Sequence, residues 1–167
     1  MKMKKLPLVA LIYLGAIASA VAATPPWAVE RDAGLGFQFS YPRHLFQPTE
    51  GEGKPSFHYF VSRDAEAKFM VGAWDNEAGQ TPSEFKRWLL ANTGGYDEQT
   101  YVPRGRSWFV ISGYRGDNIY YEKVMFSCAE QVVNVLAITY PKGSRRLYDP
   151  VVEQMEDSFR PTSRCPS

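Results

Sequence analysis

Two cysteines, two histidines and almost no net charge are the scarcities of this 167-residue chain. Nineteen basic residues stand against eighteen acidic ones, so the broad positive field used by nucleic-acid binders is missing. His44 and His58 have no partner His at helical spacing and no Cys cluster beside them, which excludes the recognisable zinc motifs. G-x-S-x-G, phosphate-loop, dinucleotide, calcium-loop and N-x-[ST] patterns are all absent, and no motif implies a cofactor. The nearest glycine grouping, Gly51-Glu52-Gly53, puts a carboxylate where a phosphate cradle has none. Beyond the first two dozen residues no apolar run approaches the ~20 residues that a membrane helix needs.

The N-terminus carries an address. Lys2, Lys4 and Lys5 precede an apolar stretch over residues 6–17, and small residues follow at 18–23. This is the three-part pattern of a secretory signal peptide. Val21 and Ala23 suit a cut before Thr24, Ala18 and Ala20 a cut before Val21. The Pro25-Pro26 pair, which keeps the chain extended, favours Thr24. Removing residues 1–23 takes three lysines and no acid, so sixteen basic residues remain against eighteen acidic and the mature chain carries about −2. The expectation is a periplasmic or secreted protein with no membrane span after processing: one domain over residues 24–160 and a tail over 161–167.

In an oxidising compartment the pair Cys128 and Cys165 is most simply one disulfide. It closes a loop of about 37 residues, worth on the order of 3–4 kcal/mol in the chain-entropy model, and ties the tail to the domain.

Periodicity then divides the mature chain. Phe37, Phe39 and Tyr41 alternate with polar residues up to Pro42, a half-buried strand. Residues 47–55, with two prolines and two glycines, read as an exposed loop. Strands follow at 57–62 and 67–74, with a turn at 64–66. Thr81-Pro82-Ser83-Glu84 is a capping box with Pro at the first helical position. Phe85, Trp88 and Leu89 continue at helical spacing, predicting a helix over 81–93 that Gly94-Gly95 stops. A weaker strand near 99–102 precedes strands at 108–112, 118–127 and 131–140, joined by turns at 113–117 and 128–130. Asp149-Pro150 starts or restarts a final helix with the stripe Leu147, Val151, Val152, Met155 and Phe159. The fold class predicted is α+β: a mainly antiparallel sheet of six or seven strands with two long helices packed on its faces.

Phe39-Ser40-Tyr41-Pro42-Arg43-His44-Leu45-Phe46 is a strand running out through Tyr-Pro. Ile138-Thr139-Tyr140-Pro141 leads to a helix carrying Tyr148-Asp149-Pro150-Val151-Val152 and finishing at Ser158-Phe159-Arg160. In these features the chain resembles small exported bacterial proteins of the PsbP-like α/β/α sandwich family, over most of residues 35–160. The resemblance implies a binding or assembly-supporting module. The matched positions are structural, so no functional residue is carried over.

The candidate binding residues are Tyr59, Trp74, Tyr101 and Tyr120, which can stack on sugars or peptides, and Arg104, Arg106 and Arg115, which suit an anionic partner. Cross-strand packing and edge protection are the bland alternatives for both groups. Ser83 and Lys86 match S-x-x-K, but the capping box accounts for them. Arg115-Gly116-Asp117 spells an adhesion tripeptide, but polar hairpin residues account for it. The leading functional reading is an exported non-catalytic module of the cell envelope that binds a protein or glycan. The alternative is a periplasmic hydrolase around His58 or His44 with nearby carboxylates, and a third reading is an oligomer-forming structural protein. Intact mass and N-terminal sequencing of protein from the native host are expected to find a chain that starts at Thr24; a chain that keeps Met1 in the cytosolic fraction would overturn the export reading.

Overall fold

The computed structural model describes residues 27–50, 56–92, 97–101, 104–162 and 165. The predicted leader and the Gly94-Gly95 helix stop lie outside them. The main sheet has seven strands: β3 (Phe46–Thr49), β4 (Phe57–Ser62), β5 (Lys68–Asp75), β6 (Glu98–Tyr101), β7 (Trp108–Arg115), β8 (Asn118–Ser127) and β9 (Val132–Pro141). Their order is β3-β4-β5-β9-β8-β7-β6, every neighbour antiparallel. A smaller antiparallel sheet, β1-β2-β10, is formed by β1 (Trp27–Asp32), β2 (Phe37–Pro42) and β10 (Arg160–Pro161). Helices α1 (Pro82–Asn92) and α2 (Arg145–Ser158) complete the fold.

Strand β9 lies at the centre because it can be buried on both faces. Val132, Leu136, Ile138 and Tyr140 point into one core, Val133 and Val135 into the other. The first core is closed by α2 and the small sheet. Tyr148, Val152 and Met155 descend from α2 at spacings of four and three, the period that puts them on one face. They meet an aromatic cluster in which Phe60 stacks on Phe69 at 4.4 Å and Phe46 lies edge-on to Phe69 at 4.9 Å. Lys123 Nζ, 2.6 Å from Glu156 Oε1, fastens α2 to β8. Ser158 Oγ accepts the Ser40 amide at 2.8 Å, fastening it to β2. The second core is smaller: Phe85 and Leu89 of α1 cover Phe109, Ile111, Val124, Phe126, Val133 and Val135.

The strand and helix pattern matches the α+β expectation, with instructive differences in detail. Strand β2 belongs to the small sheet, and the seventh place in the main sheet is taken by β3. Part of the predicted 47–55 loop is therefore strand, because Gln47–Thr49 can pair with Val61–Tyr59 despite Pro48, a proline at a sheet edge. Strand β7 runs to Arg115, leaving only Gly116 and Asp117 in the hairpin. Helix α2 starts at Arg145, ahead of Pro150, after a 3₁₀ turn over Lys142–Ser144. Leu147 consequently points outward, 46% exposed, and Tyr148 takes its expected core position. The capping box forms as written: the Glu84 amide donates to Thr81 Oγ1 at 3.3 Å and the Thr81 amide to Glu84 Oε2 at 2.8 Å.

The β8–β9 turn holds three successive non-glycine residues in the left-handed region, Cys128, Ala129 and Glu130, at φ of 55°, 53° and 69°. Each costs on the order of 1–2 kcal/mol. Asn76 braces the turn, with its amide donating to Gln131 O at 2.7 Å and its Nδ2 to Glu130 O at 2.7 Å. Cys128 is also disulfide-bonded to Cys165, Cα to Cα 5.3 Å. Gly72 in β5 shows a different constraint, close approach. A Cβ there would meet the Phe57 ring and, at 2.5 Å, the Ser56 carbonyl oxygen. Gly72→Ala is expected to lower stability by about 2 kcal/mol in a denaturant titration; a change within 0.5 kcal/mol would show that the β4–β5 pair yields freely.

Candidate functional site

The two faces of the main sheet are not equally covered. Alternation sends Phe57, Tyr59 and Val61 of β4, and Met70 and Trp74 of β5, to the α1 side. Ala137 and Thr139 of β9 and Tyr120 of β8 join them there. Helix α1 lies over β7, β8 and the start of β9, where the floor residues are buried; the remaining floor is half-buried. The result is a groove along the β4–β5–β9 half of the sheet with α1 as one wall, part of a 1730 Å³ cavity whose lining also reaches Leu35 and Cys165. Trp88, 49% exposed, stands in that wall. Contrary to the predicted stripe, it is a groove residue and not a core one.

The rings on this face form a connected row. Tyr59 and Phe57 are 6.1 Å apart, Phe57 and Trp74 5.6 Å, Trp74 and Phe85 6.0 Å, and Phe85 and Trp88 5.4 Å. Such a row combines apolar area with ring faces that can receive a partner's side chains. Gly72 leaves room for the Phe57 ring against the floor, between Tyr59 and Trp74.

Of the seven candidate binding residues, four line this groove: Tyr59, Trp74, Arg115 and Tyr120. The Arg115 guanidinium sits 4.5 Å from the Tyr120 ring centroid, a cation–π contact. Arg104 and Arg106 are exposed outside the groove, Arg104 bridging to Phe109. Tyr101 contributes backbone to β6, paired with Ser112. The sequence reading missed Phe57 and Met70. The signal for them was the alternation in 57–61 and 68–74, which puts them on the same face as Tyr59 and Trp74.

The histidines lie elsewhere. His44 is exposed in the turn between β2 and β3. His58 is on the opposite side of β4 from the groove, its Nε2 2.7 Å from Asp32 Oδ2 and its ring edge-on to Phe37 at 5.5 Å. This pair bolts the end of β1 to β4. Among the described residues no three His, Cys, Asp or Glu side chains gather as a metal site would require.

No family model and no curated protein sequence matches the chain. Solved structures do. The cyanobacterial PsbP protein CyanoP of Synechocystis sp. PCC 6803 superposes with a TM-score of 0.61 at 11% identity, covering 89% of this chain and 98% of that one. This is a PsbP-like fold. The Ran-binding protein Mog1p of Saccharomyces cerevisiae superposes with a TM-score of 0.55 at 11% identity, covering 82% and 96%. Likeness at this identity establishes the architecture alone.

Within the PsbP-like fold the Asp32–His58 pair has an electrostatic signature. Burial would raise the Asp32 carboxyl, but the Leu35 amide at 2.7 Å and His58 favour the carboxylate and together hold it below its ordinary value. A carboxyl lowered on folding adds stability that is full above its unfolded value near 3.8 and is lost as pH falls through the folded value. Asp32→Asn is expected to cost roughly 1 kcal/mol at neutral pH and to flatten the loss of stability below about pH 4. Melting curves across that range check this, and a variant as acid-sensitive as the parent would show that Asp32 contributes nothing to it.

Proposed function

We propose that the mature chain is an exported, non-catalytic binding or assembly module that receives a partner protein on the open groove beside α1. One observation carries the reading. The α2 side of the sheet is closed by the chain itself, whereas the α1 side leaves the linked rings of Tyr59, Phe57 and Trp74 half-buried and uncovered by any described element. Tyr and Trp are the residue types that dominate binding energy at protein interfaces, and a contiguous apolar surface of this kind marks an interaction site. The leader pattern and the Cys128–Cys165 bridge support delivery to an oxidising compartment. Mog1p, a Ran-binding protein by name, shows that the same architecture serves protein association elsewhere.

A second reading, a hydrolase centred on His58, draws on the 2.7 Å contact with Asp32, since a carboxylate that orients an imidazole is half of a general-base arrangement. The packing of Phe37 against that ring and the bolt that the pair makes between two sheets favour a structural role.

Photo-crosslinking in the native host separates the readings. With p-benzoylphenylalanine at Tyr59, in the groove, a covalent adduct to another protein is expected. The same probe at Val29, 61% exposed on the small sheet, is expected to give none. Trp74→Ala should remove the Tyr59 adduct and His58→Ala should leave it intact. Adducts from Val29 alone, or from neither site, would overturn the proposal. Turnover of ester, amide or glycoside substrates that His58→Ala abolishes would replace it with the hydrolase reading.

A further inference from the structure

The groove has a direction, and the direction identifies what fills it. At one end, where β5 begins and β7 ends, the lining carries Lys68 and Arg115; at the other, where β5 ends and α1 begins, it carries Glu77. Glu122 lies further in, on β8 opposite Ala137. Lys68 and Asp75 are seven residues apart on one strand, about 23 Å. Between them the floor is apolar and aromatic: Met70, Trp74, Phe57, Tyr59.

From this geometry we infer that the occupant is an amphipathic α-helix of a partner protein, about 15 residues long, lying beside α1. The inference rests on the reading of the groove as a binding face and names its ligand. An apolar half-sheet is closed in proteins by a helix or a second sheet. The strands β3, β4, β5 and β9, uncovered by any described element, span three strand spacings, about 14 Å, which matches one helix with its side chains at about 10–12 Å. A rise of 1.5 Å per residue fills the 23 Å length with about 15 residues. Helices favour acidic residues in the first turn and basic ones in the last. A helix of that polarity sets its acidic start against Lys68 and its basic end against Glu77. It then runs antiparallel to α1, which starts at the Asp75 end and points toward Asp97, whose amide bonds Tyr114 O at the other.

A second copy of the chain fits worse. The two-fold axis that sets each basic end over the other's acidic end also stacks α1 on α1. That holds the bare half-sheets roughly 30 Å apart. The other in-plane two-fold lays α1 over the partner's groove, but it turns the exposed Ser83 and Arg87 side of α1 onto an apolar floor.

Crosslink mapping tests this against the alternatives. Val61, opposite Lys68, and Phe57, opposite Gly72, are four residues apart on β4, about 13 Å. With p-benzoylphenylalanine at each site in turn, mass spectrometry of the adducts is expected to place the two attachment points about 9 residues apart in one partner segment. The Val61 point should be N-terminal, with acidic residues near it and basic residues near the Phe57 point. Lys68→Glu should reduce both adducts at least tenfold, whereas Lys68→Arg should preserve them. A spacing of about 4 residues would mean an extended segment and would overturn the inference. So would the reverse order, an adduct to a second copy, or an adduct to a glycan. If Tyr59 crosslinks to a protein while Val61 and Phe57 do not, the helix falls and the binding face stands. If none of the three crosslinks, both fall.

Discussion

A seven-stranded sheet offers two apolar faces, and the described residues supply two helices of unequal reach to cover them. That inequality governs the rest of the structure. On one side α2 and the three-stranded sheet cooperate, so Phe69, Val71, Leu136 and Ile138 lose nearly all contact with water. On the other side α1, eleven residues long, reaches across about half the strands. A helix of that length is marginal by itself. What holds it is the insertion of Phe85 and Leu89 between β7, β8 and β9, with the Thr81–Glu84 box satisfying its first amides. The groove is the area that α1 does not reach, and the aromatic row bridges the covered and uncovered halves through Trp74.

The local irregularities serve that arrangement. Gly72 gives up a side chain so that Phe57 can lie on the floor of the groove. The left-handed turn at Cys128, Ala129 and Glu130 brings β8 and β9 together at full length. Its strain is offset by the Asn76 hydrogen bonds and by a disulfide that binds the C-terminal tail to the same corner. The Asp32–His58 pair and the Ser158–Ser40 hydrogen bond sit where the small sheet and α2 join the main sheet. These last two contacts fix how the layers meet on the closed face.

Most of the layer plan was legible in the sequence because it depends on period. Two-residue alternation in 57–61 and 68–74, near-continuous apolarity in 132–140 and the Thr81–Glu84 box each dictate their element locally. The parts that escaped are those that tertiary partners decide. Strand β3 contains Pro48 and is a strand because β4 is beside it. Helix α2 begins before Pro150 because Tyr148, not Leu147, finds Phe46 and Tyr140 at 5.9 and 5.5 Å. Tyr59, Trp74, Arg115 and Tyr120 were visible as residue types, but their sharing of one groove depends on strand order, β4 next to β5 next to β9. The same order leaves Arg104 and Arg106 outside it. Trp88 could be placed on the helix by spacing, yet whether it faced core or groove depended on how far α1 extends over the sheet.

Strand order also bears on how the proposed binding face differs from an aggregation hazard. An exposed apolar patch invites non-specific association, and an open sheet edge invites strand addition. Here the patch is set back in a concavity: α1 rises on one side of it, and charged residues of opposite sign guard its two ends. Another copy of the domain, convex where α1 protrudes, reaches the floor only by turning the exposed Ser83 and Arg87 side of its α1 onto it. A single helix fits better, because it is as narrow as the gap and can carry the opposite charge at each end. The concavity that a convex second copy fits poorly is therefore the same one that suits the proposed helix.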